Sequence, residues 1–142
     1  MNILKVFISS VFFLMLFGAL PALGQSEISF FEGPLSAAKT QATEDGKLIF
    51  VDTYASWCGP CKMMARDVFT DPKVADYFNE HFINVKIDTD LSVNYPFLIS
   101  HEIRSIPDLI FMDASGTVLA RKKGFLSSDQ FLKLAKKAQK KS

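Results

Sequence analysis

Lys47-Leu48-Ile49-Phe50-Val51-Asp52-Thr53-Tyr54-Ala55-Ser56-Trp57-Cys58-Gly59-Pro60-Cys61-Lys62 contains both cysteines of the chain and its one tryptophan. The part from Lys47 to Tyr54 is β-branched and aromatic with little polar alternation, the pattern of a strand covered on both faces. From Lys62 onward the pattern is helical. Two cysteines separated by Gly-Pro therefore stand where a buried strand hands over to a helix. Such a pair can be a structural staple, half of a metal site or a redox couple.

Working outward, the N-terminal residues change how the pair is read. Asn2 to Lys5 carry one positive charge, Val6 to Leu20 are apolar, and Pro21-Ala22-Leu23-Gly24 ends in small residues. That is the layout of a secretory signal cleaved before Gln25, leaving residues 25–142 as the domain. The alternative is an uncleaved anchor, but the apolar run is shorter than the roughly 20 residues a helical span needs. Export to an oxidising compartment makes a disulfide conceivable. A bridge across two intervening residues closes a very small loop and constrains the unfolded chain little, so it suits chemistry better than stapling. A structural zinc needs four ligands, and His81 and His101 lie in unrelated segments, so no metal is expected.

Charge excludes other classes. The chain has 16 basic and 15 acidic residues, and removal of residues 1–24 takes away only Lys5, which leaves 15 of each. A neutral domain gives no reason to expect nucleic acid as a partner.

The remaining sequence supplies a single α/β domain. Ile28 to Phe31 reads as a short edge strand, and Pro34 as the first position of a helix running from Leu35 to Thr43 and ending near Gly46. Residues 62–69 continue helically, with Met64, Ala65 and Val68 sharing a face. Asp71 caps and Pro72 opens the next helix, whose apolar side is Val74, Ala75, Tyr77 and Phe78. Phe82 to Ile87 is a strand, and Pro96 favours a helix that starts near Asn94. Leu109 to Met112 and Thr117 to Ala120 form a hairpin across Asp113-Ala114-Ser115-Gly116. Ser127 or Ser128 caps a last helix with Phe131, Leu132 and Leu134 inward and lysines near its end. The order β-α-β-α-β-α-β-β-α implies a mixed sheet between helices.

At the junction, Cys58 falls at a helix N-terminus, where free N–H groups and the helix dipole favour a thiolate. The thiolate is the nucleophile of disulfide exchange. Cys61, one turn further in, is expected to be the more buried. Gly59 permits the tight turn, Pro60 sets φ for helix entry, and Trp57 offers a flat apolar wall for docking.

Val51 to Lys62 resembles the active-site signature of the thioredoxin family. Arg104-Ser105-Ile106-Pro107 resembles the family's cis-proline loop, Lys86 matches its central-strand lysine, and Gly124 matches a glycine on its last strand. The resemblance covers essentially all of residues 25–142. The Lys47 lead-in and Phe69-Thr70-Asp71-Pro72-Lys73-Val74 are similar to exported branches, including the C-terminal domain of the bacterial transmembrane disulfide reductase. The resemblance implies a thioredoxin fold, with a central mixed sheet flanked by helices on both faces. It also implies a Cys58–Cys61 disulfide cycling with the dithiol, Cys58 attacking and Cys61 resolving. Asp52 becomes a buried carboxylate of raised pKa that exchanges a proton with Cys61, and Lys86 tunes it. Trp57, Gly59, Pro60, Ile106, Pro107 and Gly124 become the substrate surface, with Pro107 in cis. Asp108 departs from the pattern, because thioredoxins usually carry threonine there. A carboxylate near the cysteines would oppose the thiolate unless it points away.

The leading expectation is an exported, monomeric protein-disulfide reductase without a cofactor, acting on protein disulfides and recharged by a membrane electron-donor protein. The alternatives are an oxidase, isomerase or cytochrome-maturation helper of the same fold, and a binding module in which the disulfide is incidental.

Overall fold

The computed structural model describes residues 27–142. The expected signal, residues 1–24, lies outside them. Helix α1 (Leu35–Asp45) is followed by β1 (Leu48–Tyr54), α2 (Gly59–Met63), α3 (Pro72–His81) and β2 (Phe82–Asp88). Then come α4 (Tyr95–Ser100), β3 (Asp108–Met112), β4 (Val118–Lys123) and α5 (Ser128–Gln139). The sheet order is β2-β1-β3-β4. Strand β1 runs parallel to β2 and antiparallel to β3, and β3 and β4 form the expected hairpin.

Strand β1 is buried along its middle five residues, and its period-two alternation splits the core into two unlike layers. Phe50 faces an aromatic layer: its ring lies 5.2 Å from Phe78, 5.1 Å from Phe111 and 5.1 Å from Phe131. Ile49 and Val51 face an aliphatic layer with Val85, Ile87, Ile110 and Met112, roofed by Ala38 and Ala42 of α1. Small residues on α1 let that helix lie close to the sheet. Both layers hold β1 rigidly, so what its C-terminal end carries is fixed in position.

Helix ends follow local chemistry. The Asp71 side chain accepts from the Lys73 N–H. Ser127 and Gln130 form a reciprocal capping box at the start of α5. Gly46 ends α1 in the left-handed region at φ 64°, which glycine adopts without a Cβ penalty.

Four expectations need correction. Ile28–Phe31 makes a single parallel bridge, Phe30 to Asn84, and not a strand. The Asn79 and Asn84 side-chain amides take the Ser29 peptide groups, so no ladder continues. Pro34 is the residue before α1 and not its first position. The helix at the cysteines begins at Gly59 with Cys58 as its cap, as expected. Its continuation, Met64–Val68, is a π-turn in which the Phe69 N–H donates to the Met64 carbonyl at 2.9 Å. This wider turn buries Met64 and Val68 but leaves Ala65 exposed, so the three do not share a face. In α5 the fully buried residues are Phe131, Ala135 and Ala138, while Leu132 and Leu134 only border the core. A 3-10 turn at Ser92–Asn94 precedes α4, as the Pro96 argument required.

Candidate active site

The cysteines sit at the C-terminal end of β1. Cys58 and Cys61 are disulfide-bonded with their Cα atoms 5.3 Å apart. Cys58 is the N-cap of α2, and its Sγ accepts from the Cys61 N–H at 3.3 Å. Gly59 and Pro60 are the first two residues of the helix, with Pro60 where no intrahelical donor is needed. The expected difference in burial is absent: Cys58 is 4% exposed and Cys61 6%. Tyr54 and Ile106 pack against the cluster that both cysteines form with Ala55, which covers the two sulfurs alike.

Strand register assembles the groups behind the pair. Asp52 is paired across the parallel ladder with Lys86, so both project from the same face. Lys86 Nζ donates to Asp52 Oδ2 at 2.8 Å, while Asp52 Oδ1 is buried with no hydrogen-bond partner among the described residues. Asp52 shares its face of β1 with Tyr54, which packs on the cysteines, and with Phe50 of the aromatic layer. Burial raises the Asp52 pKa above the ordinary carboxylate value, and the Lys86 charge opposes that rise without cancelling it. Lys86 itself is ringed by Tyr54, Phe30 and Phe69, at 4.3, 4.7 and 5.5 Å from its nitrogen to the centroids.

The opposing loop completes the site. The Ile106–Pro107 peptide bond is cis. The Pro107 carbonyl accepts from the Gly124 N–H at 2.8 Å, so two separated substrate-surface residues of the sequence reading are joined. Gly124 adopts φ 88°, a conformation that disfavours any side chain there. Trp57 is 68% exposed, with its indole N–H donating to Asp90 at 3.0 Å. Beside it opens a groove of about 410 Å³ lined by Leu98, Ile103, Arg104 and Ile106.

Asp108 turns away. It lies opposite Thr53 in the β1–β3 register, on the sheet face opposite to Asp52. Arg121 of β4 grips it with two hydrogen bonds, Nε at 2.9 Å and Nη2 at 2.5 Å, and the Arg121 Nη1 donates to the His101 carbonyl. That grip raises the Arg121 pKa further. The Thr53 hydroxyl donates to the Asp108 carbonyl and accepts from its N–H. Sequence reasoning missed Arg121, although the hairpin register, which sets Arg121 opposite Ile110, makes it a diagonal cross-strand neighbour of Asp108. It also missed Asp90 and the rings around Lys86. His81, the last residue of α3, lies against Tyr77, and His101, just past the end of α4, lies against Phe97.

Known proteins give the same picture. The thioredoxin-like domain family matches residues 35–139. A thioredoxin of Acidithiobacillus ferridurans is 35% identical over 92 residues, 65% of this chain and 80% of that protein. The thiol:disulfide interchange protein DsbD of Tatumella citrea is 29% identical over 117 residues, covering 80% of this chain. The chain spans only 19% of that relative's length. The solution structure of a candidate disulphide-isomerase from Bacteroides thetaiotaomicron superposes with a TM-score of 0.72 at 35% identity. That alignment covers 82% of this chain and 96% of the other.

Proposed function

The chain belongs to the thioredoxin-like family, and within it we propose an exported protein-disulfide reductase that works as a monomer. Its class of chemistry is thiol–disulfide exchange at Cys58 and Cys61. One observation carries the reading: Cys58 of the pair caps the helix that follows β1, and β1 carries a buried carboxylate, Asp52, with one oxygen unpaired among the described residues.

In the reductive direction the Cys58 thiolate attacks one sulfur of a client disulfide. A mixed disulfide forms and one client thiolate leaves. Cys61 then passes its proton towards Asp52 Oδ1, and its thiolate attacks Cys58 Sγ. That step breaks the mixed disulfide, releases the second client thiolate and leaves Cys58–Cys61 oxidised. Two electrons have passed to the client, and a membrane electron-donor protein restores them. Lys86 keeps Asp52 from holding its proton too tightly. The client segment lies in extended form along Ile106 and cis-Pro107, with Trp57, Gly59, Pro60 and Gly124 forming the remaining contact surface. No cofactor is required, and a bacterial periplasm is the proposed location.

Gly-Pro between the cysteines sets the direction. Thioredoxin-type sites lie near about −270 mV, and strong oxidants near about −120 mV. Equilibration of the pair with glutathione buffers is expected to give a potential below about −220 mV. Cys58→Ser is expected to abolish reduction of insulin disulfides. A potential close to that of the strong oxidants would instead favour the isomerase or oxidase reading, which the Bacteroides relative's assignment supports.

A further inference from the structure

Lys86 has an unusual setting for a lysine that touches a buried acid. One of its three N–H donors goes to Asp52, and around the rest stand the faces of Tyr54, Phe30 and Phe69. All three centroids lie within the roughly 6 Å at which a ring attracts an ammonium. Two of these rings belong to the framework of the site: Tyr54 ends β1, and Phe69 follows the π-turn. Phe30 comes from outside it, on the irregular segment that the sequence had suggested was a strand.

That segment is anchored on both sides of the ring. The Ile28 N–H donates to the Phe69 carbonyl at 2.8 Å, and the Phe31 N–H to the Asn84 carbonyl at 2.7 Å. Asn79 and Asn84 hold the two peptide groups of Ser29. A cavity of about 370 Å³ lies beneath, bounded by Glu27, Ile28, Phe30, Ala65 and Phe69, with Lys86 on its wall. So many polar ties around one half-buried aromatic residue fix where its ring stands.

We propose that Phe30 is a positioning residue for the redox site: it closes an aromatic cage that keeps the Lys86 ammonium on Asp52. The physical reason is selectivity of partner. Lys86 keeps a third of its side chain, 33%, in solvent, but a ring face attracts the cation without offering a hydrogen-bond acceptor, so on the side turned to the rings Asp52 is its acceptor among the described residues. Water in place of the ring would hydrate the ammonium and screen its pull. The N-terminal segment thus sets the pH at which Asp52 can serve the cysteines.

Other groups facing this site are few. Strand β1 brings Asp52 and Tyr54, whose own pKa is raised by burial and then by Asp88 and Asp52. Strand β2 brings Lys86 and Asp88. The anchored segment brings Glu27, and the π-turn side brings only Ala65 and Phe69. In the reduced protein the thiols of Cys58, which caps α2, and of Cys61 within it also titrate.

This inference rests on the redox reading but is tested apart from it. The Asp52 carboxyl is titrated by carbon NMR in the full chain, oxidised and reduced, with Phe30 replaced by a series of ring-fluorinated phenylalanines. Fluorine keeps the shape and drains the negative face of the ring. Lys86 lowers the Asp52 pKa, so weakening its hold must raise the titration point. We expect a stepwise rise reaching about half a pH unit for the fully fluorinated ring. Phe30→Leu should show the same rise, and Phe30→Trp should restore the original value. An unchanged titration across the fluorinated series, or a fall, overturns the cage. Failure of the wild-type pair to exchange with dithiothreitol would end the redox reading and leave this comparison intact.

Discussion

Asp52 and Asp108 stand on opposite faces of one sheet, each almost fully buried and each paired with a single cation. Asp52 is 1% exposed and Asp108 0%. The partners make them different. Arg121 presents a planar fork that occupies both oxygens of Asp108, and Thr53 ties the same residue's backbone to β1. Lysine is a point charge, so Lys86 satisfies one oxygen of Asp52 and the other has no hydrogen-bond partner among the described residues. A fully satisfied carboxylate has no reason to move a proton. One that is half satisfied and short of solvent is pushed towards its neutral form, and burial raises its pKa accordingly. Asp108, the residue after cis-Pro107, is locked in place by Arg121 and Thr53, whereas Asp52 keeps one oxygen without a hydrogen-bond partner among the described residues.

Three substitutions sharpen that contrast, in falling order of effect. Arg121→Ala leaves the Asp108 charge buried without a partner and should cost about 3–5 kcal/mol of stability by denaturant unfolding. A loss near zero would mean that Asp108 does not depend on its fork. Asp52→Asn should do the opposite to stability while slowing insulin reduction about 100-fold, an effect of about 2.7 kcal/mol on the barrier. The sign of the stability change follows from burial. The fold disfavours ionised Asp52, so its penalty is absent below the unfolded pKa and grows as pH rises through the raised native one. Melting curves should therefore favour the Asn variant at neutral and alkaline pH, and converge with the parent in acid. Lys86→Met removes the one opposing charge. The pH–rate limb assigned to Asp52 should move upward by on the order of one unit, with little loss of stability because the carboxyl can take up a proton. A downward move would show that Lys86 does not act on Asp52.

Much of this was legible before any coordinates. The apolar run at 48–51, the Asp71-Pro72 restart, the serine cap at 127 and the Asp113–Gly116 turn each express short-range chemistry, and each formed where expected. Asp52, Cys58 and Cys61 were legible because one strand and the following helix turn carry all three. The irregular 28–31 segment was not, since its β-like composition says nothing about side-chain amides elsewhere that take its peptide groups. The π-turn at Met64–Val68 was equally hidden, because one added residue in a turn leaves an apolar pattern almost unchanged. Asp108 posed the sharper difficulty. Its position beside Pro107 suggested a charge near the sulfurs, and strand alternation, which depends on register, sent it to the other face.

The sequence by itself determined the elements, their caps and the thiol pair at a helix start, because those depend on neighbours within a few residues. Only the tertiary structure decided which cation met which acid. Asp52 is 34 residues from Lys86, and the residue anchored after Pro107 lies 13 from Arg121 and 55 from Thr53. Such pairings are settled by ladder register, and a slip of one residue would exchange the two faces and the two roles.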